Sequence, residues 1–260
     1  MTRVAETSPS TGSDAREPRP FVFWMLATIV VPLFGLLAKV RIRKGDSLPR
    51  NGAYILAPNH YTEIDPIVVA VAVWRLGRPP RFMAKESLFK VPVLGAALRA
   101  TGMVPVARSS SSASARQTIA ASEALVEHGR GVIVYPEGTL TREPGMWPMR
   151  GKTGAVRLAL ESGIPLIPMA HWGAQEIMAR YGKKISLWPP RKLVTVAVGA
   201  PVDISDLVGR HTQPAALAEA TDRLMSAITV LLEDLRNEKA PAERWNPASH
   251  GQKETGRLEP

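Results

Sequence analysis

The 260-residue chain contains no cysteine. That excludes disulfides, thiolate metal sites and a cysteine nucleophile together. Aromatics make up only 6% and no nucleic-acid-binding motif occurs, so a DNA or RNA reading has nothing behind it but charge. No internal repeat is present, which argues against a solenoid. Carboxylates are in the minority, 23 against 33 Lys and Arg, and the formal net charge is +10. An excess of that size selects anionic partners, and anionic lipid or phosphorylated substrates fit it better than nucleic acid. Hydrophobic content is an ordinary 45%, and the length suits one α/β domain with appendages.

The polar residues 1–20, rich in Ser, Thr and Pro, are expected to be disordered. Residues 21–38, FVFWMLATIVVPLFGLLA, carry no charge. As a straight helix they reach about 27 Å against a hydrocarbon core of about 30 Å. Pro32 and Gly35 argue against a straight rod and suggest a re-entrant or interfacial hairpin. Lys39, Arg41, Arg43 and Lys44 follow at once, with no A-x-A-like cleavage site, which disfavours a signal peptide. Such cations bind anionic headgroups and favour the cytoplasmic side. The reading adopted is a monotopic or single membrane anchor over 21–44 on the cytoplasmic face of the cell membrane. A catalytic domain would follow over 45–237, and a disordered tail over 238–260.

Chemistry concentrates in Pro58-Asn59-His60-Tyr61-Thr62-Glu63-Ile64-Asp65-Pro66. An apolar strand, 53–57, precedes it, and Pro66 suits the first turn of a helix over 67–74. His60 then falls on a strand-to-helix loop, where the C-terminal edge of an α/β sheet places its chemistry. If the turn curls back, Asp65 holds one imidazole nitrogen and frees the other as a base. A second block, Tyr135-Pro136-Glu137-Gly138-Thr139, breaks out of a buried strand that starts at Gly131. Its glycine lets backbone N–H groups approach an anion. Glu137 would repel a phosphate, so it is expected to order Arg108 or backbone donors.

Asn59-His60 followed by Asp65-Pro66 resembles the NHxxxxD signature of the glycerolipid acyltransferases, the group that includes the 1-acylglycerol-3-phosphate acyltransferases. Tyr135–Thr139 is similar to that family's FPEGTRS block, with Tyr for Phe and Leu140 where an arginine is usual. Ile164–Ala170 resembles its VPVxP strand, and the glycine-and-strand segment 101–108 resembles its second block. The resemblance implies an α/β fold with a mostly parallel central sheet flanked by helices, and an N-terminal helical membrane motif. It also implies transfer of a fatty acyl group from a thioester, acyl-CoA or acyl carrier protein, to a lysophosphatidic acid. His60 and Asp65 would be catalytic. Arg108, Glu137, Gly138, Thr139, Arg142 and Lys152 would serve substrate binding, Arg108 and Arg142 through phosphate. No cofactor and no metal are expected.

Rival readings exist. Gly151-Lys152-Thr153 suggests a nucleotide loop, but Met146 stands where the first glycine is required. His171 is a second candidate base, though no aspartate is near it in sequence, and it is expected to pack or hydrogen-bond. Lys183–Lys192 reads as a basic surface loop containing Leu187 and Trp188, its Trp among cations fitting a lipid interface or an ordinary loop equally well, and Leu193–Val198 as an edge strand. An acyltransferase using another lysophospholipid or a glycolipid, and a non-catalytic lipid-binding protein, are the functional alternatives.

Overall fold

A computed structural model describes Glu17 and residues 19–92, 94–106 and 125–253. Five strands form the main sheet in the order β1-β7-β6-β2-β5: β1 (Ala38–Lys44), β2 (Tyr54–Pro58), β5 (Gly131–Ile133), β6 (Leu166–Trp172) and β7 (Lys192–Val198). All neighbours run parallel except β6 and β7, which are antiparallel. Every residue of β2 is buried, as expected of a strand covered on both faces. A separate parallel pair joins β3 (Met83–Lys85) to β4 (Val104–Val106), and α3 (Leu94–Ala100) lies between them in the chain.

Alternation along the strands feeds two apolar layers. Leu56, Ile133, Ile167 and Val196 point to one face, where α1 (Phe21–Leu37) and α2 (Asp65–Arg75) pack through Phe34, Val68 and Val69. Ile55, Val132 and Leu166 point to the other. There α4 (Gly154–Ser162) and α5 (Pro214–Arg236) contribute Val156, Leu158, Leu224 and Ile228. Gly163, in the left-handed region at φ 68°, stops α4, a conformation glycine enters without strain.

Several expectations change. Residues 21–37 form one continuous helix through Pro32 and Gly35, laid along the domain with Phe23 and Phe34 buried. Trp24 meets Trp74 of α2 edge-on at 5.0 Å. No described helix is long and apolar enough to cross a membrane. The basic flank belongs to the domain: β1 alternates inward Ala38 and Val40 with outward Lys39 and Arg41, and it pairs with β7 in register Ala38↔Lys192. The boundary at 44/45 therefore falls at the end of a strand of the sheet, and β7 is interior while β1 is the edge. Its cations hid the strand's period of two.

The expectations for residues 1–16, 18 and 254–260 lie outside the described residues, while the described residues beside them make contacts that their polar composition does not suggest. Glu17 is buried and pairs with Arg78 and Arg81. Arg19 donates to the Gly77 carbonyl at 3.1 Å. Beyond residue 238, the Trp245 carbonyl accepts from Arg150 N–H at 2.9 Å, and the Trp245 ring stacks on His250.

Candidate active site

Strand β2 delivers Asn59 and His60 at the C-terminal edge of the sheet. The next turn curls tightly enough that Asp65, the first residue of α2, reaches back to the residues before it. Its Oδ2 accepts from Tyr61 N–H at 2.6 Å and Thr62 N–H at 2.9 Å, while the Thr62 hydroxyl donates to Oδ1. The fully buried Oδ2 also lies 3.0 Å from His60 Nδ1. An ionised carboxylate only accepts, so Nδ1 carries the proton and Nε2 is left bare. Burial alone would raise Asp65. The imidazoles of His171 and His60 and the Thr62 hydroxyl outweigh it and hold the carboxyl below its usual range. His60 is partly open, its side chain 16% exposed, with its ring stacked on Tyr135 at 4.1 Å. Nε2 has no hydrogen-bond partner among the described residues. The arrangement is that of a general base oriented and charge-stabilised by its carboxylate.

The turn is held from β6 as well. Asn59 uses its side-chain amide as an extra peptide unit: Oδ1 accepts from His171 N–H at 2.9 Å, and Nδ2 donates to the His171 carbonyl at 3.1 Å. His171 is wholly buried, with Nε2 3.2 Å from the Asn59 carbonyl and 3.9 Å from Asp65 Oδ2. Burial lowers its pKa from the usual value, and the Asp65 carboxylate beside it pulls the other way. The sequence shows no aspartate near His171; the fold supplies Asp65. Tyr61, also buried, accepts from Ala174 N–H at 3.2 Å and packs its ring between those of His171 and Trp172.

The family model described as Acyltransferase matches residues 39–172, which takes in both blocks of this site. The chain belongs to the acyltransferase family. It is 32% identical over 183 residues to the 1-acyl-sn-glycerol-3-phosphate acyltransferase of Salmonella typhimurium, covering 68% of this chain and 67% of that protein. To the protein of the same name from Bacillus subtilis it is 26% identical over 205 residues, 78% of this chain and 94% of that one. The crystal structure of the 1-acyl-sn-glycerophosphate (LPA) acyltransferase PlsC from Thermotoga maritima matches with a TM-score of 0.60. That match covers 85% of this chain and 82% of the other at 19% identity, and so establishes a shared fold. The chain is an acyltransferase of the 1-acylglycerol-3-phosphate type.

The 136–142 segment of this acyltransferase lies against the His60 turn. Glu137 is fully buried; Oε1 accepts from His60 N–H at 3.2 Å and Oε2 from Met149 N–H at 3.0 Å. Its carboxyl group orders backbone donors, the second of the two roles expected for it. Burial pushes its pKa up to about 8 against the pull of those donors. Thr141 N–H donates to the His60 carbonyl at 2.6 Å, so both backbone polar groups of His60 are clamped by this segment. Gly138 sits at φ 69°, and a Cβ there would lie 3.1 Å from Lys152 Cδ, so the lysine stem passes directly over the glycine. Lys152 N–H donates to the Pro136 carbonyl at 2.7 Å. Lys152, Arg150 and Glu137 line a pocket of about 250 Å³ at the start of α4. Arg142 is buried, its N–H directed at Met149 Sδ. Thr139 is half-buried beside Gly138. Arg108 lies outside the described residues.

The N–H groups of the His60 loop and of Gly138 are natural candidates for holding an oxyanion, yet those of His60, Tyr61, Thr62 and Gly138 all donate within the protein. Arg180 is a part that sequence reading missed. Its guanidinium bonds the carbonyls of Thr141 and Glu143 and fixes the segment that clamps His60. Its partners are 37 to 39 residues away, so no local pattern marks it.

Proposed function

We propose that this acyltransferase moves a fatty acyl group from an acyl thioester to the free hydroxyl of 1-acylglycerol-3-phosphate, forming phosphatidic acid for phospholipid synthesis. The observation that carries this reading is the His60–Asp65 pair, with Nε2 bare on a partly open ring. Nε2 takes the acceptor's hydroxyl proton as its oxygen attacks the thioester carbonyl. When the tetrahedral intermediate collapses, the C–S bond breaks and the imidazolium returns the proton to the departing thiolate. No acyl-enzyme is required. Acyl-CoA and acyl carrier protein present the same thioester and serve equally as donors.

Recognition of the two ends of the lipid follows from charge and apolarity. Lys152 beside Gly138, with Arg142 and Arg108, supplies the cations for the acceptor's phosphate. An apolar pocket of about 170 Å³ between α1, α2 and the β3–β4 pair is walled by Phe23, Val71, Trp74 and Phe82. Phe82 stacks on Tyr135, which stacks on His60, so hydrocarbon in this pocket has an aromatic path to the base. The outer side of α1 exposes Met25, Ile29, Leu33 and Leu36 at helical spacing, and residues 21–45 contain no carboxylate. That stripe supports attachment in the plane of an anionic membrane, and the cytoplasmic face is the one that Lys39, Arg41, Arg43 and Lys44 favour.

The deciding measurement is thiol release from palmitoyl-CoA or palmitoyl-acyl carrier protein, with and without lysophosphatidic acid. Acceptor-dependent release is expected, with kcat lowered at least about 10²-fold in His60→Ala. Near-normal turnover of a well-folded His60→Ala would remove the base. Release that depends on a glycolipid or another lysophospholipid instead would reassign the acceptor.

A further inference from the structure

A second apolar feature, remote in sequence from α1, ends at the same place. Strand β6 runs to Trp172 at the edge that carries His60. Because β7 is antiparallel to it, with Thr195 opposite Trp172, β7 begins at that edge. β1 is parallel to β7 with Ala38 opposite Lys192. So the end of α1 and the loop that enters β7 meet there, joined by the Arg191 N–H to Leu36 carbonyl bond of 3.2 Å.

That loop holds apolar side chains outward on a tied frame. Lys192 is buried and its Nζ donates to the carbonyls of Ser186 and Pro189, both at 2.8 Å. Ser186 N–H donates to the Ile177 carbonyl at 2.8 Å, and its hydroxyl to the Trp188 carbonyl at 3.0 Å. On this frame Leu187 is 69% and Trp188 82% exposed. Water gives an exposed Trp–Leu pair on an ordered loop no reason to stay there, whereas a headgroup boundary accommodates both. The surrounding charge has one sign. Residues 177–202 contain no carboxylate and include Arg180, Lys183, Lys184, Arg191 and Lys192. A second copy of a chain of net charge +10 is opposed by that field, and an anionic bilayer is drawn to it.

We propose that the 185–188 loop is a second membrane-docking element, inserting Leu187 and Trp188 into the same anionic leaflet that receives the outer stripe of α1. The proposal rests on the membrane reading of α1. Two contacts from separate parts of the chain fix rotation about the α1 axis, which one helix cannot do, and hold the His60 edge of the sheet toward the lipid.

The absence of cysteine makes the test direct. Single cysteines at Leu187, at Leu33 on α1 and at Val230 on the outside of α5 are labelled with bimane. The labelled proteins are mixed with vesicles of phosphatidylcholine and phosphatidylglycerol carrying doxyl-labelled acyl chains. Quenching at 187 and 33 but not at 230 is the expected result. Quenching at 33 alone overturns the loop proposal and leaves the α1 reading standing, whereas no quenching at 33 or 187 removes the membrane reading itself. Bimane at 187 whose emission shifts with protein concentration in the absence of vesicles would assign the loop to self-association instead. The Leu187→Ser/Trp188→Ser double variant should partition into these vesicles at least about tenfold more weakly, with unchanged turnover of short-chain, monomeric substrates. Equal partitioning would refute the proposal.

Discussion

Asp65→Asn separates the two things the aspartate does. In the wild type, Oδ2 takes three N–H donors, from His60, Tyr61 and Thr62, and Oδ1 takes the Thr62 hydroxyl. Asparagine can place its oxygen at the Oδ2 position and its NH₂ toward Thr62, whose hydroxyl can turn to accept. The contacts of the turn survive, so the fold should lose no more than about 1 kcal/mol. The charge does not survive. With charge centres roughly 4 Å apart and an effective dielectric near 20, a carboxylate stabilises the developing imidazolium by about 4 kcal/mol. Its loss corresponds to about 10³-fold in rate. Asp65→Ala should behave differently, because it strands the buried Tyr61 and Thr62 N–H groups at about 1–3 kcal/mol each. The assay pairs thiol-release kcat with thermal melting for all three proteins. An Asp65→Asn enzyme that melts normally and turns over within a few-fold of wild type would refute the charge argument; one that melts as early as Asp65→Ala would refute the hydrogen-bond argument. Acid adds a further check. Asp65 is held below its ordinary value of about 3.9, so its stabilisation is complete above that pH and is lost as pH falls through the folded value. Asp65→Asn should therefore show a shallower loss of melting temperature in acid.

Glu137 has the opposite sign. Its folded pKa of about 8 lies above the ordinary carboxyl value of about 4.3, so its contribution is complete below that value and is lost as pH rises through 8. The melting temperature should fall between pH 5 and 9 more steeply in the wild type than in Glu137→Gln, and parallel curves would show that the carboxyl titrates normally. Gly138→Ala forces a side chain into the left-handed region at about 1 kcal/mol and presses on Lys152. It should raise the acceptor KM while leaving kcat within a few-fold, and an unchanged KM would take Lys152 away from the phosphate.

The sheet-to-loop-to-helix path of the catalytic turn was legible because every signal for it is local. Tyr54–Ala57 is continuously apolar, Pro66 opens a helix, and His60 and Asp65 sit five residues apart on the turn between them. Strand β1 was not legible, because four cations in seven residues read as a membrane flank until β7 is seen to pair along it and Ala38 and Val40 to enter the core. The described residues near the two ends, Glu17 and Arg244 among them, misled for a similar reason. Polar composition suggests solvent, yet Glu17 finds two buried arginines and Arg244 bonds Asp222 and Ser226 on α5.

By itself, then, the sequence determined the acyltransferase blocks, the spacing that lets Asp65 meet His60, and the strand-to-loop-to-helix path around them, all of which depend on side chains within a few residues of one another. Only the tertiary structure decided what holds His60 in place. Asn59 meets His171 across 112 residues and Glu137 meets the His60 backbone across 77. It also decided that α1 and the Trp188 loop share the catalytic edge, a consequence of one antiparallel step between β6 and β7. Such contacts depend on which strands lie side by side, and strand order is a property of the folded sheet that no local pattern of residues carries.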